Sequence, residues 1–548
     1  MAIFSHMKES SKQMKWNKWT LFSVVLFLFA VVFEQDSPYL LLLTVAQVIY
    51  IPLTLQMIVK KNDWFNRYYS YFAIPAFIAV ILLHMTNQSE WDYLFAAIYL
   101  LFTFIVAIYG ITRFLNRGFI HFEEFSIDIA LIYLAIGGMW FFAHIVNIDT
   151  GFSAIITWLT AIHFHYAAFL LPIFTGLFGR IYKPSTYLLA TGIILISPLI
   201  LAIGITFSVW IEWFAVVLYI IGIYFFIYFT FKAPFEHRWQ KWLILLSFGS
   251  LGVTILFSLL YAFGRLSNEY AISIHFMLQF HGLLNSVFFA LSGVIGWSMF
   301  VPLTKTKKWT FPASNIRGKM VVGEKILPIY RDYQSSESYQ GLVDRMAIYE
   351  PDINLHTLSP AIRDFYENTL DYRLYADIKW KMWFKPFAAV YRLISSFMQQ
   401  INLPLSSKQI EMTGDIIKIK ENSDGRVKPR AWVRKIHDEI TFIALYSWHQ
   451  TKERTYMNIA LPLPGSSMIG VLELNQIGSE LQLSSEKQKI DSDAGIYLAW
   501  NKHLLALPIE ETFHVNEIQE GRLYAKHDMW IFSIPFLTIN YHIDHRDL

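Results

Sequence analysis

Apolar positions along this chain fall into two regimes that meet near residue 302. Before it, long runs of Leu, Ile, Val, Phe, Tyr and Trp are broken only by short polar segments. Beyond it, from about residue 405, apolar and polar residues alternate with the two-residue period of half-buried strands. A helix needs about 20 apolar residues to cross the hydrocarbon core of a bilayer. Segments that qualify are 19–33, 38–59, 68–86, 91–112, 126–147, 152–179, 186–209, 211–231, 242–264 and 274–302. The first is short, with the Lys-rich flank of a signal sequence, but Glu34-Gln35-Asp36 follows instead of a small-residue cleavage site, so it reads as an uncleaved span. The expected architecture is a membrane all-α bundle of about ten transmembrane helices (1–302), a basic linker (303–312) and a cytoplasmic α+β, strand-rich domain (313–548).

Charge changes this picture by giving it a direction. Residues 1–302 hold 15 Lys/Arg and 13 Asp/Glu, against 30 and 29 in residues 303–548. With the N-terminus inside, the inner segments carry Lys8, Lys12, Lys15, Lys18, Lys60, Lys61, Arg67, Arg113, Arg117, Arg180, Lys183, Lys232, Arg238, Lys241, Lys305, Lys307 and Lys308. The outer segments carry Arg265 alone, beside Glu34, Asp36, Glu90, Asp92, Asp149, Glu212 and Glu269. Basic residues resist translocation, so this bias predicts both termini in the cytoplasm. A formal net charge of +3 gives no reason to expect nucleic acid as a partner. Cys is absent, which excludes disulfides, thiolate metal sites and Cys nucleophiles.

In the tail, Ser359-Pro360 reads as a helix start, a cap followed by Pro at the first helical position. It predicts a helix through Ala361–Tyr375. A second helix is expected near 384–401, with Trp383, Phe384, Phe387, Tyr391, Ile394 and Phe397 interleaved with Lys385 and Arg392, suited either to a core or to the inner leaflet. Strands are expected at 409–420, 430–436, 440–449, 455–462, 467–475, 495–506, 511–517 and 521–526, with one or two more in 529–543. Asp424-Gly425 and Pro464-Gly465 mark turns. A curved antiparallel sheet of this kind can enclose an apolar ligand.

Candidate chemistry in the spans rests on histidine. His84, His144, His163, His165, His275 and His281 all fall in the half of the bundle expected to face outward, which suggests a polar pocket opening that way. Positions two apart on a helix point about 200° from each other, so His163 and His165 cannot share one ion. A common site requires one of them with His281, with His144 as a further member and Gln279 and Asn285 supplying hydrogen bonds. The competing reading is that neutral imidazoles simply bond across helices. Haem or a divalent metal on His163, His165 and His281 is a further possibility, not the favoured one. Asp128, one turn into its helix, is expected to stabilise the helix N-terminus. Gly137-Gly138 and Gly249/Gly252 are expected to let helices approach closely.

Searches for catalytic patterns fail. Gly465-Ser466-Ser467-Met468-Ile469-Gly470 lacks the glycine spacing of a nucleophile elbow. Asp491-Ser492-Asp493-Ala494-Gly495 carries its glycine one place early for a calcium loop, and position twelve is Lys502. His437, His449, His514, His527, His542 and His545 are scattered and read as surface or sheet-face residues. Four segments carry a resemblance, three of them Thr160-Ala161-Ile162-His163-Phe164-His165-Tyr166-Ala167, His281-Gly282-Leu283-Leu284-Asn285, and Gly521-Arg522-Leu523-Tyr524-Ala525. With Ser359-Pro360-Ala361-Ile362-Arg363-Asp364-Phe365-Tyr366 and the span-plus-tail layout, the chain resembles the YndJ-like family of bacterial membrane proteins. That resemblance implies a bacterial plasma-membrane protein and brings no catalytic residues with it. The functional expectation is a multi-pass protein that binds a small or apolar ligand at the intramembrane histidines and couples it to the tail, without assigned catalysis. The alternatives are a transporter and a haem or metal enzyme.

Overall fold

The computed structural model describes residues 11–12, 18–34, 38–86, 89–119, 121–267, 269, 272–304, 309, 311–323, 326–332, 339–437, 439–489 and 491–547. They form two compact units: Met1–Phe114 with His121–Thr306, and Leu115–Ile120 with Lys307–Leu548.

The first unit is helical: α1 (Lys18–Phe33), α2 (Leu41–Ile58), α3 (Trp64–Leu82), α4 (Trp91–Leu115), α5 (Phe122–Ile145), α6 (Ala154–Ile181), α7 (Tyr187–Phe207), α8 (Val209–Lys232), α9 (Arg238–Ser267) and α10 (Ile274–Met299). Among the described residues, eight of these are long and apolar enough to span a membrane, which corrects the expected count of ten. The two that fall short do so for different reasons. α1 has 16 residues, about 24 Å of helix against a hydrocarbon core of about 30 Å. α3 has 19 residues, but its opening turns, Trp64-Phe65-Asn66-Arg67-Tyr68-Tyr69-Ser70-Tyr71, are too polar.

Proline shapes the interior spans. A helical Pro clashes with the carbonyl four residues back, and in α2 and α6 a widened π-type turn lies immediately upstream. Ala46–Tyr50 precedes Ile51-Pro52, and Tyr166–Leu170 precedes Leu171-Pro172. Pro75 and Pro198 sit inside otherwise α-helical stretches. Asp128 does not act as a helix-end charge. It is fully buried and paired with Arg113 Nε at 2.9 Å. Arg113 also reaches Glu124 at 2.8 Å, while Arg180 grips Glu124 through Nε (2.6 Å) and Nη2 (2.9 Å). Glu123 pairs with Lys183 at 2.7 Å. Pairing is what makes such burial tolerable.

The second unit is a closed antiparallel barrel. Its strands are β1 (Tyr372–Trp380), β2 (Ile410–Lys418), β3 (Val427–Ile436), β4 (Glu439–Thr451), β5 (Arg454–Leu463), β6 (Ser466–Ile477), β7 (Glu480–Ser484), β8 (Gly495–Trp500), β9 (His503–Ala506), β10 (Ile509–Gln519), β11 (Arg522–Ile531) and β12 (Ile534–His545). Ten of them run β6-β5-β4-β3-β2-β1-β12-β11-β10-β7 and close by β7 pairing with β6. β6 manages this by dividing one edge: residues 466–471 pair with the β8–β9 hairpin, and residues 473–477 pair with β7. Closure leaves the ten-strand ring without a free edge.

Most strands follow the sequence pattern, and three departures stand out, the first being β7, which lies outside every expected strand. α11 stops at Glu367 instead of running to Tyr375, because Tyr372, Leu374, Ala376 and Ile378 are buried on one face while Arg373 and Lys379 are exposed. That is a strand period, and β1 completes the ring. The 495–506 segment breaks into two strands at Asn501, whose φ of +50° makes the turn. Ser359 caps α11 (Pro360–Glu367) as expected, accepting from Ile362 N at 3.3 Å, and α12 (Lys385–Met398) lies within its expected range.

Two apolar layers result. One lines the inside of the barrel, with Leu472, Leu483, Val515, Ala525, Ile539 and Ile543 among its members. The other lies on the outer face of β3–β6 and β8, where Phe311, Ile316, Val322 and Ile326 cover Val433, Ile443, Leu445, Ile469 and Tyr497. This explains why β4 is buried on both faces.

Candidate functional site

In the bundle, His144, His163, His165 and His281 each donate through Nδ1 to a backbone carbonyl, which fixes the tautomer. His165 is fully buried. Its Nδ1–H donates to Ala161 O (2.7 Å), leaving Nε2 to accept from the Tyr99 hydroxyl at 2.8 Å. Its ring stands where a Cβ on Gly137 would fall, so it faces α4 and α5. His163 is exposed on α6 and donates to Leu159 O at 2.7 Å. His281 donates through Nδ1 to Thr254 O (2.9 Å) and accepts from Asn285 Nδ2 (3.1 Å), while Asn285 Oδ1 accepts from Thr254 Oγ1 (2.6 Å). These three residues, with the Thr254 carbonyl as one corner, close a triangle between α9 and α10.

His163 and His281 stand within electrostatic range of each other, whereas His165 points the other way, as the 200° rule requires. His144 donates to Ala154 O at 3.1 Å near the end of its own helix, and Gln279 is exposed. His84 bridges Glu34 and Thr44, each at 2.8 Å. Among the described residues, no three His, Asp or Glu side chains stand together so as to hold a metal ion.

The barrel holds the larger feature, a cavity of about 520 Å³. Its lining comes from alternate residues of successive strands, so the two-residue period itself builds the wall: Phe442, Ala444 and Tyr446 on β4, Met457, Ile459 and Leu461 on β5, Phe513 and Val515 on β10, and Ile539, Tyr541 and Ile543 on β12. α12 contributes Phe387, Ala388 and Tyr391. A volume in this range is that of a drug-sized ligand pocket.

Three polar groups interrupt the apolar wall. His527 on β11 is buried, lies face to face with Phe513 at 3.6 Å, and meets Glu511 Oε2 through Nε2 at 3.0 Å. Its Nδ1 has no protein partner. Arg434 on β3 holds its guanidinium 4.6 Å from the Trp432 ring and 4.4 Å from the Phe442 ring, and its Nε is likewise without a protein partner. Gly470 makes room for the acid: a Cβ there would stand 2.9 Å from Glu511 Oε1. The lining phenols remain neutral, because burial pushes Tyr446 up to about 12 and raises Tyr391. Tyr541 is raised by burial and drawn partly back by the neighbouring Arg434.

His527 therefore does not lie on the surface but on an inward sheet face, the other position the sequence allowed. Nor does His449, buried between Phe311 and Tyr456, with Asp493 at 3.5 Å. Their strands alternate as expected, but the sequence could not say which face looks inward.

A multi-span helical bundle joined to a closed β-barrel with a polar-studded apolar interior defines the class: a membrane protein carrying a β-barrel domain. The YndJ-like protein family matches residues 41–289. A Bacillus subtilis (strain 168) protein, described as the uncharacterized membrane protein YndJ, is 37% identical over 482 residues, covering 86% of this chain and 87% of its own length. The chain belongs to the YndJ-like family. No solved structure matches it.

Proposed function

We propose that this is a plasma-membrane binding protein, with its basic segments and barrel domain on the cytoplasmic side, that holds a single apolar or amphiphilic molecule inside the barrel. The observation that carries the reading is the cavity. Its wall is apolar, and the polar atoms that interrupt it, His527 Nδ1 and Arg434 Nε, lack protein partners. Burying polar groups unpaired is costly, and a ligand headgroup would relieve that cost, while the apolar remainder of the ligand would fill the wall. Among the described residues, no nucleophile with an adjacent base lines the cavity, so the reading is binding without assigned catalysis.

The test is solvent extraction and mass spectrometry of the detergent-purified full-length protein, with binding of an anthroyloxy-labelled fatty acid as probe. Wild type should carry a near-stoichiometric amphiphile or bind the probe, and Leu472→Trp and Ala525→Trp, which fill the cavity, should do neither. An empty wild-type protein that ignores the probe would refute the reading.

A second reading places the ligand in the bundle at His281 and Asn285. It is supported by the consecutive π-type turns at Met277–Gly282 and Asn285–Leu291, a distortion frequently found at functional sites. The same extraction applied to His281→Ala separates the two: loss of ligand there, with retention in the barrel variants, favours the bundle.

A further inference from the structure

One face of α12 is turned away from the barrel and is strongly apolar. Val390 is 62% exposed, Leu393 76%, Ile394 53% and Phe397 58%. At 100° per residue these four occupy an arc of about 100°, with Phe387, which also reaches the cavity, just beyond its edge. The opposite side is the seated one: Ala388, Ser395 and Met398 are buried. Both ends are fastened. At the entry, Trp383 Nε1 donates to Pro535 O (2.9 Å) and Phe384 lies against Phe536. At the exit, Met398 O accepts from Val322 N (2.8 Å), and Gln400, fully buried, bonds Ile443 and Pro462. The helix is thus held rigidly with large side chains displayed to solvent, an arrangement that soluble surfaces avoid.

We propose that this face inserts into the headgroup–acyl boundary of the same bilayer that the spans cross. Three observations select a bilayer as the occupant. Exposed Lys385 and Arg392 lie on the polar side of the helix, about 80–100° round from the nearer edge of the apolar arc, as on helices that bind anionic leaflets. The chain itself supplies the spans, the last ending at Met299. Phe311, in the core of the second unit, follows only twelve residues later, so the tether reaches about 40 Å at most. The inference does not depend on the cavity being occupied. It does place Phe387 and Tyr391, which line the cavity, on the element that meets lipid, so an amphiphile would have a direct route between bilayer and barrel.

The absence of Cys makes the test clean. Single variants Val390→Cys, Leu393→Cys, Ala389→Cys and Ser396→Cys, all at exposed positions, are spin-labelled in the full-length protein. The protein is then placed in nanodiscs of phosphatidylcholine with phosphatidylglycerol. Labels at 390 and 393 should be relaxed by oxygen and protected from a water-soluble nickel chelate, and labels at 389 and 396 the reverse. In phosphatidylcholine alone the contrast should fall several-fold. Full nickel accessibility at 390 and 393 overturns the proposal. So does protection from both reagents, which would mean that protein covers the face. Ligand extraction reads the cavity separately, so failure of either idea leaves the other measurable.

Discussion

At the scale of single residues, the barrel depends on a few buried charges that are fully engaged. Asp424 and Arg426 are completely buried, joined at 2.6 Å, and Arg426 also donates to Asn458 and Leu445 while Ser314 donates to Asp424. Removing one partner leaves an uncompensated buried charge, which costs roughly 3–5 kcal/mol. Asp424→Ala should therefore lower the thermal transition of the barrel domain sharply, whereas Asp491→Ala, which breaks the exposed pair with Lys452, should barely move it. Differential scanning fluorimetry of the two proteins makes the comparison, and equal shifts would contradict this account. The sequence offered Asp424-Gly425 only as a turn, and Gly425 does take φ +82° there. That the acid beside it anchors the barrel is a fact of long-range contact, since Arg426 reaches Asn458 across strands.

Elements show the same division. In the bundle, helix approach was legible where small residues cluster, and only partly right. A Cβ at Gly138 would stand 2.2 Å from Thr103 Oγ1, and one at Gly137 2.8 Å from His165 Nδ1, so α4 and α6 meet α5 through these glycines. Gly249 has open space around it, while Gly252 touches Ile227, so the expected pair is one contact. Overpacking costs typically about 1–3 kcal/mol. Gly138→Val should destabilise the detergent-solubilised protein by that order, and Gly249→Ala should be neutral in the same thermal assay; a neutral Gly138→Val would show that the helices can separate freely. Among the strands, β1 was missed because a good cap at Ser359 starts a helix whose end the sequence marks only weakly, at Asn368.

For the whole molecule, orientation is the property with the widest consequence. The basic segments alternate with acidic ones along the first unit, and the proposed sidedness predicts a simple labelling result in this cysteine-free chain. On intact cells, Asp149→Cys should react with an impermeant maleimide, and Lys232→Cys should react only after the membrane is opened. The reverse pattern would invert the topology and move the barrel to the other side.

What the sequence determined by itself is what local physics enforces: long apolar helices, the shift to a two-residue period, and most strand positions. The resemblance to the YndJ-like family was likewise carried by short runs of residues. Only the tertiary structure decided that the strands close, because closure depends on β6 sharing its edge between β8 and β7, residues with no mutual signature in the chain. It also decided that His527, Glu511 and Arg434 look into one cavity and that His165 and His281 look apart. A side chain's alternation can be read along a strand or helix, but which face is inside is fixed by what the rest of the chain packs against it.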